Sequence, residues 1–309
     1  MPLFKLYECC LDIGMDAEEI FGGGPIWGEL QNDWDIFAIG EEEIHERLLK
    51  DIAEPMFHEY KAGWAPEFTE NVVFRLESTA YYEERNEEQI KLWSDFRTEI
   101  LTQNRFFIKK SLNLDLIRSV LTSSKHTVES GQIFFRCRRG KEPLPPKVMG
   151  MPPPEKAIPG RANPIGIPYL YLSECELTCA LETGMKANER GTLAEFEVLQ
   201  PMVIANLANP RIASPFEPGE KLHNTVLYLR FLRHLAMELS KPVEAESPYL
   251  YTPTQYLCEF IKTCGYDGVQ FRSSKTKKLN MTLFHQSKVK CSRARLFTLK
   301  SENRIQHET

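Results

Sequence analysis

Apolar residues between Glu41 and about position 125 recur at three- and four-residue intervals, whereas further along the chain they fall into short runs between turn residues. From Glu41 the spacing of Ile44, Leu48, Leu49, Ile52 and Met56 predicts a helix. A second helix is expected over about 80–104, with Ile90, Trp93, Phe96, Ile100 and Leu101 on its buried side, and a third over about 113–124 through Leu116, Ile117, Val120 and Leu121. Residues 1–40 follow neither period. Gly22-Gly23-Gly24-Pro25 interrupts any regular element, and the surroundings of Trp27, Trp34 and Phe37 read as a loop-rich packing segment.

The texture changes near Gln132. Gln132 to Cys137 reads as a strand, and a passage with seven prolines follows between Pro143 and Pro159, expected to form a flap, ordered or mobile, over a site. Gly160, Pro164, Gly166 and Pro168 keep the next stretch a loop, Tyr169–Leu172 is a short strand, and Ser173 with Glu176 looks like a capping box opening a helix that carries Glu182. Strands are expected at about 192–199 and 202–206, then a helix at about 219–239 with Leu222, Val226, Leu229, Leu232 and Ala236 on its apolar side. Thr252-Pro253 starts a further helix that Gly265 ends. Strands near 268–273, 280–284 and 294–299 complete the pattern, with Lys275, Lys277 and Lys278 in a basic turn. The chain is therefore expected to be α+β: a mainly helical domain over 1–128, a mixed-sheet domain over 129–300, and a polar, frayed tail over 301–309.

Composition narrows the function classes. The chain has 309 residues, and the net charge of -5 conceals a split. Residues 1–130 hold 26 acidic side chains against 13 basic ones, leaving 17 against 25 in the remainder. A basic second part suits an anionic ligand, while the acidic first part speaks against a large nucleic-acid partner. No apolar run approaches a membrane span, and the first residues lack a secretory core, so a cytoplasmic protein is expected. The eight cysteines form no Cys-x-x-Cys pair; they are expected to be reduced and mostly packed as small apolar groups, with no metal site. The triple glycine is not followed by Gly-Lys-Ser/Thr, which argues against a phosphate-binding P-loop. In the helical part no arginine precedes a histidine by the Arg-x4–6-His spacing of some helical ribonucleases, so His45, His58 and His126 read as surface or structural histidines.

The polar residues admit two readings each. Arg136, inside the aromatic strand, either pairs with a buried acid or binds a phosphate or carboxylate, to which its planar fork is matched. Arg161 is either solvated in its loop or a ligand-binding cation. Glu182 on a capped helix, Ser273 and Ser274 at a strand end, and Tyr171 in a strand would by default be surface, turn and core residues.

Their order changes the balance. Phe-Phe-Arg136, then Gly-Arg161-x-Asn163-Pro-x-Gly-x-Pro-x-Leu-Tyr171-Leu-Ser, then Thr-x-Ala-x-Glu182, then Tyr-Asp-Gly-Val-x-Phe-Arg-Ser273-Ser274 and Asn280 together resemble the RES domain over about residues 130–295. Tyr251-Thr-Pro-Thr-Gln255 with Glu259 resembles the subgroup that carries a helical N-terminal domain of HEPN type. One departure is that Thr183-Gly184-Met185 stands where that subgroup often has Val-Arg-Pro. The resemblance implies an ADP-ribosyltransferase-like fold and destruction of NAD+, as substrate rather than cofactor, by toxins of toxin–antitoxin pairs. It implies that Arg136, Glu182 and Ser273 are catalytic, with Ser274 a close second for the serine, and that Arg161, Tyr171, Asn163, Asn280 and Ser274 contact substrate. An antitoxin or other inhibitory protein, and a second copy of the chain, are the partners to be expected. Three other functions compete: ADP-ribosylation of a macromolecule, inactive nucleotide binding, and a ribonuclease in the helical half.

Overall fold

The structure, a computed structural model, describes residues 80–110, 112–208, 231–232, 234–241, 247–276, 278–301 and 304–307, together with 24–25, 44, 47–48, 51 and 72–73. The readings of the surroundings of Trp27, Trp34 and Phe37 as a packing segment, of His45 and His58, and of the earlier part of the 219–239 helix lie outside the described residues, whereas Gly24–Pro25, expected to interrupt any regular element, is a short strand. Two compact units divide the chain: residues 1–91 with 211–231, and 92–210 with 232–309. In the first, Gly24–Pro25 pairs antiparallel with Val72–Val73, and positions 44, 47, 48 and 51 are helical, as the spacing from Glu41 predicts.

Helix α1 (Ala80–Thr102) places Trp93, Phe96 and Ile100 on one buried stripe, while Ile90 and Leu101 are half-buried at its margin. Glu99 is buried on the same stripe because its carboxylate accepts the backbone N–H groups of Lys109 (2.8 Å) and Lys110 (2.6 Å), which ties down the loop that follows. Helix α2 (Leu114–Ser123) begins where Asn113 Oδ1 accepts the Leu116 N–H at 2.9 Å, a side-chain cap for an otherwise orphaned donor.

The second unit is organised by one nine-stranded sheet. Its strands are β1 (Lys125–Val128), β2 (Ile133–Arg139), β3 (Leu170–Ser173), β4 (Arg190–Val198), β5 (Met202–Asn206), β6 (Gly268–Arg272), β7 (Leu279–Leu283), β8 (Val289–Ser301) and β9 (Arg304–His307). The spatial order is β9-β8-β4-β2-β3-β7-β6-β5-β1, antiparallel throughout except for the β5–β6 pair. The sheet is mixed, and the α+β class is as expected.

Several local expectations are corrected. Strand β1 was not foreseen, because Lys125, His126 and Thr127 are exposed and only Val128 is buried; the expected division at 128/129 falls between two strands of the same sheet. His126 is on the surface, as expected. The tail is not frayed between Arg304 and His307: this segment pairs with β8, and His307 Nε2 lies 3.0 Å from Glu176 Oε2. Ser173 is not a helix cap. It is the buried last residue of β3, its hydroxyl donating to Leu279 O (3.0 Å), and helix α3 (Glu176–Glu182) starts only after Cys175. Glu176 does not close a capping box either, since its carboxylate meets Arg295 at 2.6 Å. Helix α4 (Thr252–Thr263) follows a 3-10 turn at Pro248–Tyr251 and ends at Gly265, whose φ of +88° is the left-handed conformation expected there.

The proline-rich passage is an ordered strap. Met149 is fully buried beside Phe134, Leu172 and Phe196, a burial worth about 2 kcal/mol. Arg138 donates to Gly150 O (2.9 Å), the Leu144 N–H donates to Thr192 Oγ1 (2.9 Å), and the Met151 N–H donates to Gln286 Oε1 (2.7 Å). Within this passage only Pro159 lines the cavity described below. On another part of the sheet α3 packs Cys179 and Ala180 against Cys137 and Leu193. The six described cysteines are free thiols, and burial pushes Cys137 up to about 12, so it serves as a small apolar group.

Candidate active site

Strands β2 and β3 are joined by a single residue pair, Phe135 with Ser173. Beyond it the sheet opens, and Arg136 Nη1 reaches across to Tyr171 O at 3.4 Å. The opening is a cavity of about 380 Å³, within the range of small-molecule sites. Its walls are Arg136 of β2, Pro159, Gly160 and Arg161 of the loop, Tyr171 of β3, Cys179, Glu182 and Thr183 at the end of α3, Tyr251, Phe271 and Asn280. Two larger, shallower concavities of about 560 and 510 Å³ centre on Glu174 and Lys278 and include none of the candidate residues.

Glu182 is held at both carboxylate oxygens. Arg161 Nη2 lies 3.2 Å from Glu182 Oε2, while Ser273 Oγ (2.6 Å) and Asn280 Nδ2 (2.9 Å) both donate to Oε1. The ion pair is mostly sheltered, with 14% and 20% of the two side chains exposed, so water screens it weakly. Arg161 is itself held on three sides: by Glu182, by Ser240 O (3.3 Å) and by the Phe271 ring, whose centroid lies 5.9 Å from the guanidinium carbon.

Arg136 has no acidic partner among the described residues. Its Nε is buried without a hydrogen bond, and burial, followed by the neighbouring Arg138, pushes its pKa down to about 10. The group is still charged at neutral pH, and a buried cation with spare donors on a cavity wall is suited to an anion.

The remaining candidates separate by position. Tyr171 lines the cavity, but its hydroxyl is used: it donates to Asn163 Oδ1 (2.7 Å) and accepts the Ala162 N–H (3.1 Å), with burial raising its pKa. Asn163 does not line the cavity. Its amide lies 3.0–3.1 Å from the carbonyls of Ile158, Pro164 and Ile167, so it organises the loop that presents Arg161. Ser273 is fully buried behind Glu182, and Ser274 does not line the cavity, its buried hydroxyl having no partner among the described residues. Local sequence leaves the two serines equivalent; the structure does not. Thr183, which stands at the departure from the subgroup pattern, lines the cavity and turns its hydroxyl back to Ala180 O (2.7 Å), ending α3.

Besides the cavity-lining Cys179, Tyr251 and Phe271, which were not candidates, two residues that brace the site from behind were missed. Thr254 Oγ1 donates to Arg161 O (2.7 Å), and Gln255 Nε2 donates to Gly160 O (2.8 Å) and Asn163 O (3.0 Å). Their signal was present in the Thr-Pro-Thr-Gln segment, but nothing local connects it with a loop some ninety residues earlier. Among the described residues no group of three or more His, Cys, Asp or Glu is placed to hold a metal ion, and no helix is long and apolar enough to cross a membrane.

Comparison with known proteins agrees with the order of these residues. The family model for the RES domain matches residues 133–301. No curated protein sequence matches. Among solved structures, a chain of the M. tuberculosis MbcT–MbcA toxin–antitoxin complex is similar at 11% identity, covering 60% of this chain and 97% of that one, with a TM-score of 0.37. The matched span runs from the first residue of β2 to the last of β8 and takes in the arginine strand, the loop, α3 and the Ser273 strand end, and the chain belongs to the RES domain family.

Proposed function

We propose that this chain consumes NAD+ by breaking the bond between nicotinamide and ribose. Membership of the RES family supports, at family level, a toxin-like enzyme acting on NAD+. The observation that carries the reading is Glu182: a carboxylate fixed by Arg161, Ser273 and Asn280 on the wall of a cavity that also holds Arg136. As the glycosidic bond breaks, its electron pair leaves with the nicotinamide nitrogen and positive charge develops on the ribose. A carboxylate whose donors are already in place stabilises that charge without reorganising. Arg136 and Arg161 provide the charge complement for the pyrophosphate. Tyr171 offers its ring and not its hydroxyl, and Ser273 acts through Glu182 by orienting it.

Water as acceptor forms the new bond to the ribose carbon and releases a proton, giving ADP-ribose; inorganic phosphate gives the 1-phosphate ester instead. Incubating purified protein with NAD+, with and without phosphate, and resolving the products by chromatography distinguishes the two. Free nicotinamide with ADP-ribose, or with its phosphate ester, supports the reading. Intact NAD+ under conditions where it binds overturns it in favour of a binding module, while label transferred to a macromolecule leaves the broken bond the same and overturns water and phosphate as the acceptor in favour of ADP-ribosylation. We further propose an inhibitory partner protein, as the family's toxin–antitoxin pairs imply, to be sought by co-purification.

A further inference from the structure

The loop that carries Arg161 has few backbone hydrogen bonds of its own, and Asn163 is its internal side-chain brace. Between Pro159 and Pro168 it belongs to no strand, and its internal backbone bonds are Gly160 N–H to Asn163 O (2.9 Å) and Ile167 N–H to Pro164 O (3.3 Å). Yet Arg161 must hold its guanidinium within reach of Glu182. The carbonyls of Gly160, Arg161 and Asn163 are instead met by two side chains from the first turn of α4. Both hydrogens of the Gln255 amide are spent on the loop, and the Thr254 hydroxyl lies 2.7 Å from the carbonyl of Arg161 itself, with Tyr251 O also in reach at 2.9 Å. Both side chains are buried, and neither lines the cavity.

We propose that Thr254 and Gln255 are positioning residues of the site, fixing the loop backbone so that Arg161 faces an anionic group of the substrate and Glu182 together. The proposal deepens the NAD+ reading and rests on it for the substrate, but the placement of Arg161 can be measured without any turnover. A loop released by a fraction of a bond length moves a guanidinium at the end of a long side chain much further, and misplacement by about 1 Å can lower the rate by about 100-fold.

The test uses the full chain with Gln255→Leu, which keeps the bulk and removes both donors, and Thr254→Val, with Thr254→Ser as the conservative rescue. Arginine-selective labelling by phenylglyoxal, read by mass spectrometry, reports the accessibility of Arg161, with the ion-paired Arg295 as internal control. Arg161 is expected to label roughly fivefold faster in Gln255→Leu and Thr254→Val, the scale of one lost hydrogen bond, with Thr254→Ser like the parent and Arg295 unchanged. For NAD+ turnover, kcat/KM is expected to fall about 10- to 100-fold, mainly through KM, and to fall no further when either change is added to Arg161→Ala. Unchanged Arg161 labelling in a folded variant, or an equal loss in the Arg161→Ala background, overturns the proposal. If Gln255→Leu does not fold, Thr254→Val decides. Absence of NAD+ turnover by the parent chain would overturn the substrate assignment, and the labelling would still decide the positioning.

Discussion

Glu182 Oε1 accepts a 2.6 Å hydrogen bond from the hydroxyl of Ser273, a residue 91 positions further along the chain. The direction of that bond follows from the serine's other contacts. The backbone N–H groups of Lys275 (3.1 Å) and Thr276 (3.4 Å) both point at Ser273 Oγ and can only donate, which leaves the single hydroxyl proton for the carboxylate. With Asn280 on the same oxygen and Arg161 on the other, both ends of the carboxylate are oriented before any substrate enters. Hydrogen bonds to a charged group of this kind contribute about 1.5–3 kcal/mol each.

Removing the charge while keeping the shape tests the role of the carboxylate. Glu182→Gln, whose carbonyl can still accept from Ser273, is expected to lower NAD+ turnover by about two orders of magnitude or more, with a loss of thermal stability as well because the sheltered Arg161 guanidinium keeps no counter-charge. Arg136→Ala is expected to lower turnover similarly. Normal turnover in either would show that the site is elsewhere.

The two adjacent serines should behave differently. Ser273→Ala removes a donor to Glu182 and leaves two backbone N–H groups without their acceptor, a loss of about 1–3 kcal/mol in stability together with a fall in turnover. Ser274→Ala deletes a hydroxyl that has no partner among the described residues and is expected to leave turnover within about twofold and stability within about 0.5 kcal/mol. Paired thermal melts and initial rates check both.

Gly160 is required by space. A Cβ there would lie 2.6 Å from Tyr171 Oη and 2.8 Å from Asn163 Oδ1, and those two atoms are already bonded to each other in a buried cluster. Gly160→Ala is expected to lower stability by about 1–3 kcal/mol and to displace the arginine loop. A chemical melt with unchanged midpoint would contradict this.

Acid should weaken the second unit through Glu99. The backbone N–H groups of Lys109 and Lys110 favour its charged form and hold its pKa below the ordinary value of 4.5. Between the folded and unfolded values the unfolded chain binds more protons, so stability rises with pH there. The contribution is fully present above about 4.5 and is lost as pH falls through the lower folded value. Denaturant midpoints measured from pH 6 down to pH 3 should fall more steeply for the parent chain than for Glu99→Gln (the window is set by the ordinary glutamate value).

Much of this architecture is legible locally. The stripe of Trp93, Phe96 and Ile100, the helix opened by Thr252-Pro253 and closed by Gly265, and the strands carrying Arg136, Tyr171 and Phe271 follow from periodicity and turn chemistry. The misreadings share a cause. Ser173 and Glu176 satisfy the capping pattern, but Leu279 O and Arg295 compete for their side chains and win. Lys125–Val128 and Arg304–His307 are too polar to announce themselves as strands, and each forms because a partner strand supplies its hydrogen bonds.

By itself, the sequence determined the element types, the α+β class and the order of arginine, glutamate and serine that marks the family, because these depend on residue periods and short motifs. Only the tertiary structure decided that Ser273 and not Ser274 holds Glu182, that Asn163 braces a loop, and that Thr254 and Gln255 grip the backbone around Arg161. Those are hydrogen bonds between groups roughly ninety or more residues apart, or choices among several nearby acceptors. A hydrogen bond is specified by a distance and an angle in space, and the packing of the sheet is what sets both.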